Sequence, residues 1–389
     1  MNSSKTVLEK QKYLPRQITP RKSFVVNSYP FTVIYFSAVQ QSSGKNPKDN
    51  FMTSPLTTVN PLWETLADNA LQKTAPSLDE AKMILLAPQA ETLSIVHAAY
   101  RVRRYFHGNK VRLHVLQNAK SGACPEDCGF CSQSSKFQTP AAQYPMMEVE
   151  ALVEGARKAK AAGAWKYCMV TATRGPSTRD LDVVCEATRR IKAEVGVKVC
   201  TSLGLLTEEK AKRLAEAGVD RFNHNLETSK RLYGTIVSTH SYEDRVQTTK
   251  FAKKAGMEIC SGGIVGMGEE IDDVIELCYA LREVGATSVP VNFLDPRPGT
   301  PFAHLTTVEP YYALRVLSLF RFVHPDVDVR SAGGREVTFR SLQPLVLYVA
   351  NSIFTNGYLT TGGQGENADH QMIRDMGMVP EIAGGEFQT

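Results

Sequence analysis

Three of the eight cysteines fall within eight residues: Cys124, Cys128 and Cys131, in "SGACPEDCGFCSQSS", spaced C-x3-C-x2-C. Thiolates bind soft or borderline metals, and three from one short loop hold three corners of a metal site or cluster. A structural zinc site asks for a fourth Cys or His at a matching spacing. His107 and His114 are close by, yet both precede the loop rather than pairing across it. A [4Fe–4S] cluster on three cysteines instead leaves one iron without a protein ligand, open to a substrate or cofactor. On the loop taken by itself, both zinc and an open cluster stand.

The other cysteines divide into two groups. Cys185 in "LDVVCEATRR" and Cys278 in "VIELCYAL" occupy apolar positions of helical patterns and read as core residues. Cys168, Cys200 and Cys260 sit inside strand-like runs, "KYCMV", "KVCTS" and "EICSGG". Each taken singly reads as a buried hydrophobe. Three at equivalent depth in one barrel converge on its axis, where a cluster would replace a layer of packed side chains.

The elements that must position these residues recur regularly. Strand candidates cover 111–117, 166–173, 197–203, 221–226, 258–266, 288–294, 326–332 and 352–360. Amphipathic helical patterns lie between them at 147–162, 178–194, 207–217, 241–255, 270–284 and 310–322. Eight strand–helix units over this length predict an α/β fold of the (β/α)8 TIM-barrel type. The rival is a doubly wound open sheet. It is disfavoured because no G-x-G-x-x-G follows the first strand, and because the polar and cysteine positions sit in or at the ends of many strands. Ahead of the barrel, residues 61–108 carry a helical preface, with Ser77 and Glu80 forming a capping box. The barrel is expected to span 109–389.

The 389 residues are 42% hydrophobic and 22% charged, a composition suited to a large globular enzyme. The net charge of +5 is concentrated in residues 1–60, which hold eight Lys or Arg against Glu9 and Asp49. The remainder is close to neutral, so nothing implies a nucleic-acid-binding face. No apolar run is long enough to span a membrane. Residues 1–60, Ser-rich and acid-poor, are expected to be a disordered extension. A dispensable tail or a true start at Met52 is favoured over an organelle transit peptide, since no strong Arg-rich amphipathic helix is present. Unpaired, clustered cysteines suit a reducing compartment, so a cytoplasmic location is expected, with a mitochondrial one as the alternative.

The C-x3-C-x-aromatic-C loop, with Phe130 before Cys131, resembles the signature of radical S-adenosylmethionine enzymes. Further stretches resemble the biotin synthase family: "FNHNLETS", "CSGGIVGMGE", "SVPVNFL", "VRSAGGRE" and "ANSIF", in order from about residue 110 to 361. That resemblance implies a sulfurtransferase that inserts sulfur between two unactivated carbons of dethiobiotin, using two S-adenosylmethionine per turnover. Cys124, Cys128 and Cys131 would hold a [4Fe–4S] cluster whose open iron chelates S-adenosylmethionine. Cys168, Cys200 and Cys260, with Arg330 as an unusual fourth ligand, would hold the [2Fe–2S] cluster that donates sulfide. A guanidinium is a poor metal ligand, so an Arg330 bond would be weak. Asn223 and Asn292 would bind the ureido group of dethiobiotin, and Asn225 and Glu227 the S-adenosylmethionine ribose, with Phe130 beside the cofactor. The alternative for each Asn is a buried amide tying strands together.

The resemblance also implies a homodimer and an electron donor of the flavodoxin or ferredoxin type. Glu227 where an aspartate is common, Lys166 near the [2Fe–2S] site and His114 on the first strand depart from the family pattern. The alternatives are a related barrel of the hydrogenase-maturation or methylornithine-forming type, or a zinc-binding structural protein.

Overall fold

A computed structural model describes residues 60–382 and 385–386. The expected disordered extension and the Met52 start lie outside the described residues. Strands form where β-branched and aromatic residues run between turn signals: β1 Lys110–Lys120, β2 Lys166–Thr171, β3 Lys198–Ser202, β4 Arg221–Asn223, β5 Glu258–Cys260, β6 Gly263–Val265, β7 Ser288–Phe293, β8 Asp328–Ser331 and β9 Ser352–Thr355. The order β1-β2-β3-β4-β5-β7-β8-β9 is parallel throughout. Pairing of Arg112–Val115 with Ser352–Thr355 closes the sheet into an eight-stranded barrel. The open-sheet alternative is thereby excluded.

One predicted strand, 258–266, is split in two. β5 pairs with both neighbours, while β6 pairs with β7 and, through a single bridge from Gly263, with Glu227. Backbone crowding explains the break. A Cβ on Gly262 would lie 1.8 Å from the Pro290 carbonyl oxygen, and one on Gly263 2.5 Å from that of Glu227. These glycines allow the strands to approach closely.

Helices Val149–Ala161, Thr178–Arg190, Glu208–Glu216, Tyr242–Lys254, Ile271–Glu283 and Pro310–Val323 wrap the barrel at the predicted places. Four further helices, Lys230–Ile236, Arg335–Phe339, Gln343–Val346 and Glu366–Asp375, were not anticipated. Ahead of β1 lie α1 Pro61–Leu71, α2 Leu78–Leu86 and α3 Thr92–His107. The capping box at α2 is formed: Glu80 N–H donates to Ser77 Oγ at 3.3 Å, and Ser77 N–H to Glu80 Oε2 at 2.7 Å. Trp63, Leu66, Leu85 and Ile95 of these helices share one apolar cluster with Val289 of β7 and Leu314 of the outer layer. The preface is therefore continuous with the barrel core. Past the barrel closure, β10 Val379–Ile382 pairs in parallel with the start of β1. No helix among the described residues is long and apolar enough to cross a membrane.

Candidate functional site

The loop that leaves β1 carries Cys124, Cys128 and Cys131 at the carboxyl end of the strands, the face on which (β/α)8 barrels place their sites. It is fixed by its own backbone and by a neighbouring loop. Cys124 N–H donates to Gln133 O at 3.0 Å, Ser135 N–H to Cys124 O at 2.7 Å, and Gly129 N–H to Ile236 O at 2.9 Å. The intervening acids clamp the segment after helix Lys230–Ile236. Asp127 accepts from the Ser238 and Thr239 amides at 3.0 and 3.2 Å. Burial alone would raise the Asp127 carboxyl, but its hydrogen bonds with Ser238 and Thr239 prevail and hold it at about 2. Glu126 pairs with Arg174 at 3.1 Å and with His240. Phe130 packs with Tyr233, Ile236 and Leu294, beside Cys128 and Cys131.

All three thiols open onto one cavity of about 270 Å³, which also reaches Asn223, Asn225, Glu227 and Asn292. Burial pushes each of them up, Cys131 to about 11, and neighbouring thiols add to the rise at Cys128 and Cys131. Binding iron would release their protons and remove that cost.

The strand cysteines occupy one level of the barrel. Cys168 and Cys200 face each other in register across β2 and β3, and Cys260 lies opposite Asn223 across β4 and β5. Cys168 and Cys200 pack against Leu116, Val170 and Leu359, which are also walls of the cavity. The second trio therefore lies directly beneath the first. A hydrogen bond from Cys168 draws Cys200 down to about 7 against the effect of burial, with Arg221, Lys166 and Arg330 assisting. The same bond, together with burial, holds Cys168 well above the ordinary thiol range. The two thiols therefore titrate as a pair, with Cys200 the more acidic member. Arg330 points into this layer, its Nη1 3.9 Å from Cys260 Sγ. Cys185 and Cys278 are buried on outer helices, in the core role expected of them.

The donor sets fit iron–sulfur clusters. All eight cysteines are free thiols. Among the described residues no three His, Cys, Asp or Glu side chains are arranged to hold a single metal ion. The three loop cysteines would each meet a different iron of a [4Fe–4S] cluster, and Cys168, Cys200, Cys260 and Arg330 would share the two irons of a [2Fe–2S] cluster, so both sets suit a cluster better than a mononuclear zinc site.

The polar residues differ in how much of their capacity is used. The Asn223 side chain lines the cavity without a protein hydrogen-bond partner among the described residues. Asn292 already ties strands: its Nδ2 donates to Gly263 O and its Oδ1 accepts from Gly333 N–H, each at 2.9 Å. One N–H and one lone pair of that amide are left over. Asn225 accepts from Gly262 N–H at 3.2 Å and donates to Glu227 at 3.4 Å. Glu227 is buried in a left-handed conformation, φ +70°, which turns its carboxylate toward Arg245 at 3.3 Å.

Arg245 escaped the sequence reading. It lies on helix Tyr242–Lys254, donates to Asn225 O at 2.9 Å and to the Tyr233 hydroxyl, and lines the cavity. Its signal was an arginine at a buried position of an amphipathic helix, which periodicity alone reads as an outward charge. Tyr358, on the loop after β9, also lines the cavity and packs its ring at 5.3 Å from Phe354.

Comparison with known proteins agrees with this geometry. Residues 119–280 match the Radical SAM superfamily, and residues 290–379 the Biotin and Thiamin Synthesis associated domain. A biotin synthase of Salinibacter ruber is 56% identical over 329 residues, 84% of this chain and 92% of that protein. One from Bacillus subtilis is 47% identical over 319 residues, 82% of this chain and 95% of that protein. Among solved structures, a methylornithine synthase superposes with a TM-score of 0.72 at 20% identity, covering 82% of this chain and 98% of that one. The FeFe-hydrogenase maturase of Carboxydothermus hydrogenoformans gives 0.69 at 15% identity, covering 82% and 79%. Those two likenesses reach the fold and no further, whereas the synthases are 47–56% identical over more than four-fifths of the chain: the chain belongs to the biotin synthase family of the radical S-adenosylmethionine superfamily.

Proposed function

We propose that this chain converts dethiobiotin to biotin by radical sulfur insertion. The single observation that carries the reading is the stacking of two cysteine trios, one on the cavity wall and one beneath it. Bound there, the clusters and S-adenosylmethionine supply one-electron reduction of the sulfonium, a carbon radical able to take hydrogen from an unactivated C–H bond, and sulfide, at two S-adenosylmethionine per turnover.

The chain's own residues bind, orient and shield. Cys124, Cys128 and Cys131 hold the upper cluster and leave one iron for the cofactor. Asn225 and Glu227, braced by Arg245, present hydrogen-bonding groups to the cofactor ribose. Asn223, with its amide unengaged, and the spare half of Asn292 pair with the neutral ureido ring of dethiobiotin, where a carboxylate would carry a charge penalty. Cys168, Cys200, Cys260 and Arg330 hold the lower cluster below the substrate. Leu116, Val170, Leu359 and Tyr358 keep water from the space between. A homodimer, a flavodoxin- or ferredoxin-type donor and a cytoplasmic location complete the reading.

An anaerobic assay with dethiobiotin, S-adenosylmethionine and a reductant should give biotin. Cys128→Ala should abolish 5′-deoxyadenosine formation. Cys200→Ala should still form 5′-deoxyadenosine but little biotin. Full biotin yield from the Cys200 variant would contradict the assignment of the sulfur source.

A further inference from the structure

Below the strand cysteines the barrel is floored by charge instead of packed hydrocarbon. Lys166 and Arg221 both pair with Glu258, Arg221 at 2.8 Å. Arg221 and Arg330 both pair with Asp328 at 3.1 Å. Asp328 and Arg330 are two residues apart on β8, so the period of a strand sends both side chains inward. Both are buried.

Asp328 is the most heavily braced group of the floor. Its Oδ1 accepts from Ser352 Oγ at 2.5 Å and from Asn351 Nδ2 at 3.2 Å. Its Oδ2 accepts from Ser288 Oγ at 3.0 Å, besides the two arginines. A carboxylate held from so many sides cannot swing with its partner.

Arg330 is correspondingly fixed at one end. Its Nη2 is surrounded by acceptors: Asp328 Oδ2 at 3.1 Å, Ser288 Oγ at 2.9 Å and His114 Nε2 at 3.1 Å. Its guanidinium lies over the Phe354 ring, 4.8 Å from the centroid. A planar group pinned at one nitrogen and stacked on a ring has one orientation. Nη1 is thereby left toward Cys260, and Nε is buried with no protein partner.

We propose that Asp328 is a positioning residue for the lower cluster: it pins Arg330 Nη2 to the barrel floor, so that the Nη1 edge is presented to the Cys168–Cys200–Cys260 layer, and it offsets the cationic charge beneath that layer. The inference rests on the proposed [2Fe–2S] site. It gives the departure at His114 a use, since the imidazole is one of the acceptors that hold Nη2. It also separates two roles for the floor: Glu258 neutralises Lys166 and Arg221 at the half-exposed rim, while Asp328 alone reaches Arg330.

The test uses the reconstituted holoenzyme with both clusters. Wild type should show the [2Fe–2S] absorption, and Cys200→Ser should lose it; if either fails, the underlying site assignment fails. With that established, Asp328→Asn should lose the [2Fe–2S] absorption roughly fivefold faster under reducing conditions. Its [2Fe–2S] midpoint potential should move positive, because a negative charge has been removed nearby. The [4Fe–4S] signature should be unchanged, and Asp328→Glu should return the potential toward wild type. A folded Asp328→Asn protein with wild-type loss rate and potential overturns the proposal. If Asp328→Asn does not fold, Ser352→Ala takes its place. It removes a brace on Asp328 and is hydrogen-bonded to neither Arg330 nor a cysteine. A roughly twofold faster loss is then expected, and an unchanged rate overturns the proposal.

Discussion

Replacing Arg245 with methionine tests how the cavity wall is held together. The guanidinium is buried and bonds Glu227 at 3.3 Å, Asn225 O at 2.9 Å and the Tyr233 hydroxyl. Methionine fills much of the same volume but leaves Glu227 as a buried carboxylate without its cation. Such a group takes up a proton rather than remaining charged, which caps the penalty. Burial already raises the Glu227 carboxyl above the ordinary value of 4.5, while Arg245 and Asn225 oppose that rise. At about pH 7.5, neutralising a carboxyl of that ordinary pKa costs about 4 kcal/mol, from ~1.4 kcal/mol per unit over about three units. Wild type already bears part of this, so the loss on removing Arg245 should be about 2–4 kcal/mol, with about 1 kcal/mol more for the lost neutral hydrogen bonds.

The pH dependence is the discriminating feature. A carboxyl raised in the folded state destabilises increasingly as pH rises from its unfolded value toward its folded one, because the folded protein then retains a proton that the unfolded chain has released. The variant should therefore lose most stability near pH 7.5 and approach wild type toward pH 5. Chemical denaturation of the apoprotein at several pH values gives the curve directly. The double variant Arg245→Met with Glu227→Gln should recover most of the pH-dependent part. A destabilisation that is the same at pH 5 and pH 7.5 would refute the ion-pair account and leave only packing.

Gly262→Ala should be severely destabilising or fail to fold, because its Cβ would sit 1.8 Å from the Pro290 carbonyl oxygen, a rigid backbone atom; a variant with a wild-type denaturation midpoint would show that β5 and β6 are not clamped as described. Burial, opposed by a hydrogen bond to Cys278 O at 2.9 Å, holds His324 down at about 4 against an ordinary 6.5. Its contribution to stability should be present above about pH 6.5 and be lost as pH falls toward 4, a change on the order of 3 kcal/mol. His324→Gln should flatten that stretch of the stability–pH curve, and an unaltered slope would contradict the assignment.

How much of this was legible beforehand divides along a physical line. Every barrel strand, and the major helices after the first six, appeared as periodicity, because burial on one face of an amphipathic element leaves a direct mark on residue type. The loop trio was visible from its spacing, whereas Cys168, Cys200 and Cys260 stood out only as three cysteines at equivalent depth in strands of one barrel. The break between β5 and β6 was not visible. It depends on Pro290 and Glu227 backbone atoms contributed by other strands. Nor was Arg245: its burial depends on a helix packing over Glu227, a residue eighteen positions earlier. The same holds for Asn292. The family resemblance suggested a substrate contact, but only the approach of Gly263 and Gly333 showed that half of its amide is already engaged.

By itself, then, the sequence determined the barrel and marked out two sets of three cysteines, because local patterning and residue chemistry are properties of the chain; their roles as cluster ligands came from the family resemblance. Only the tertiary structure decided that one trio lies beneath the other, and that a charged floor with Asp328 at its centre grips Arg330. Those facts join β1, β2, β3, β4, β5, β7, β8 and β9, and barrel closure is what brings residues as distant as His114 and Arg330 to 3.1 Å.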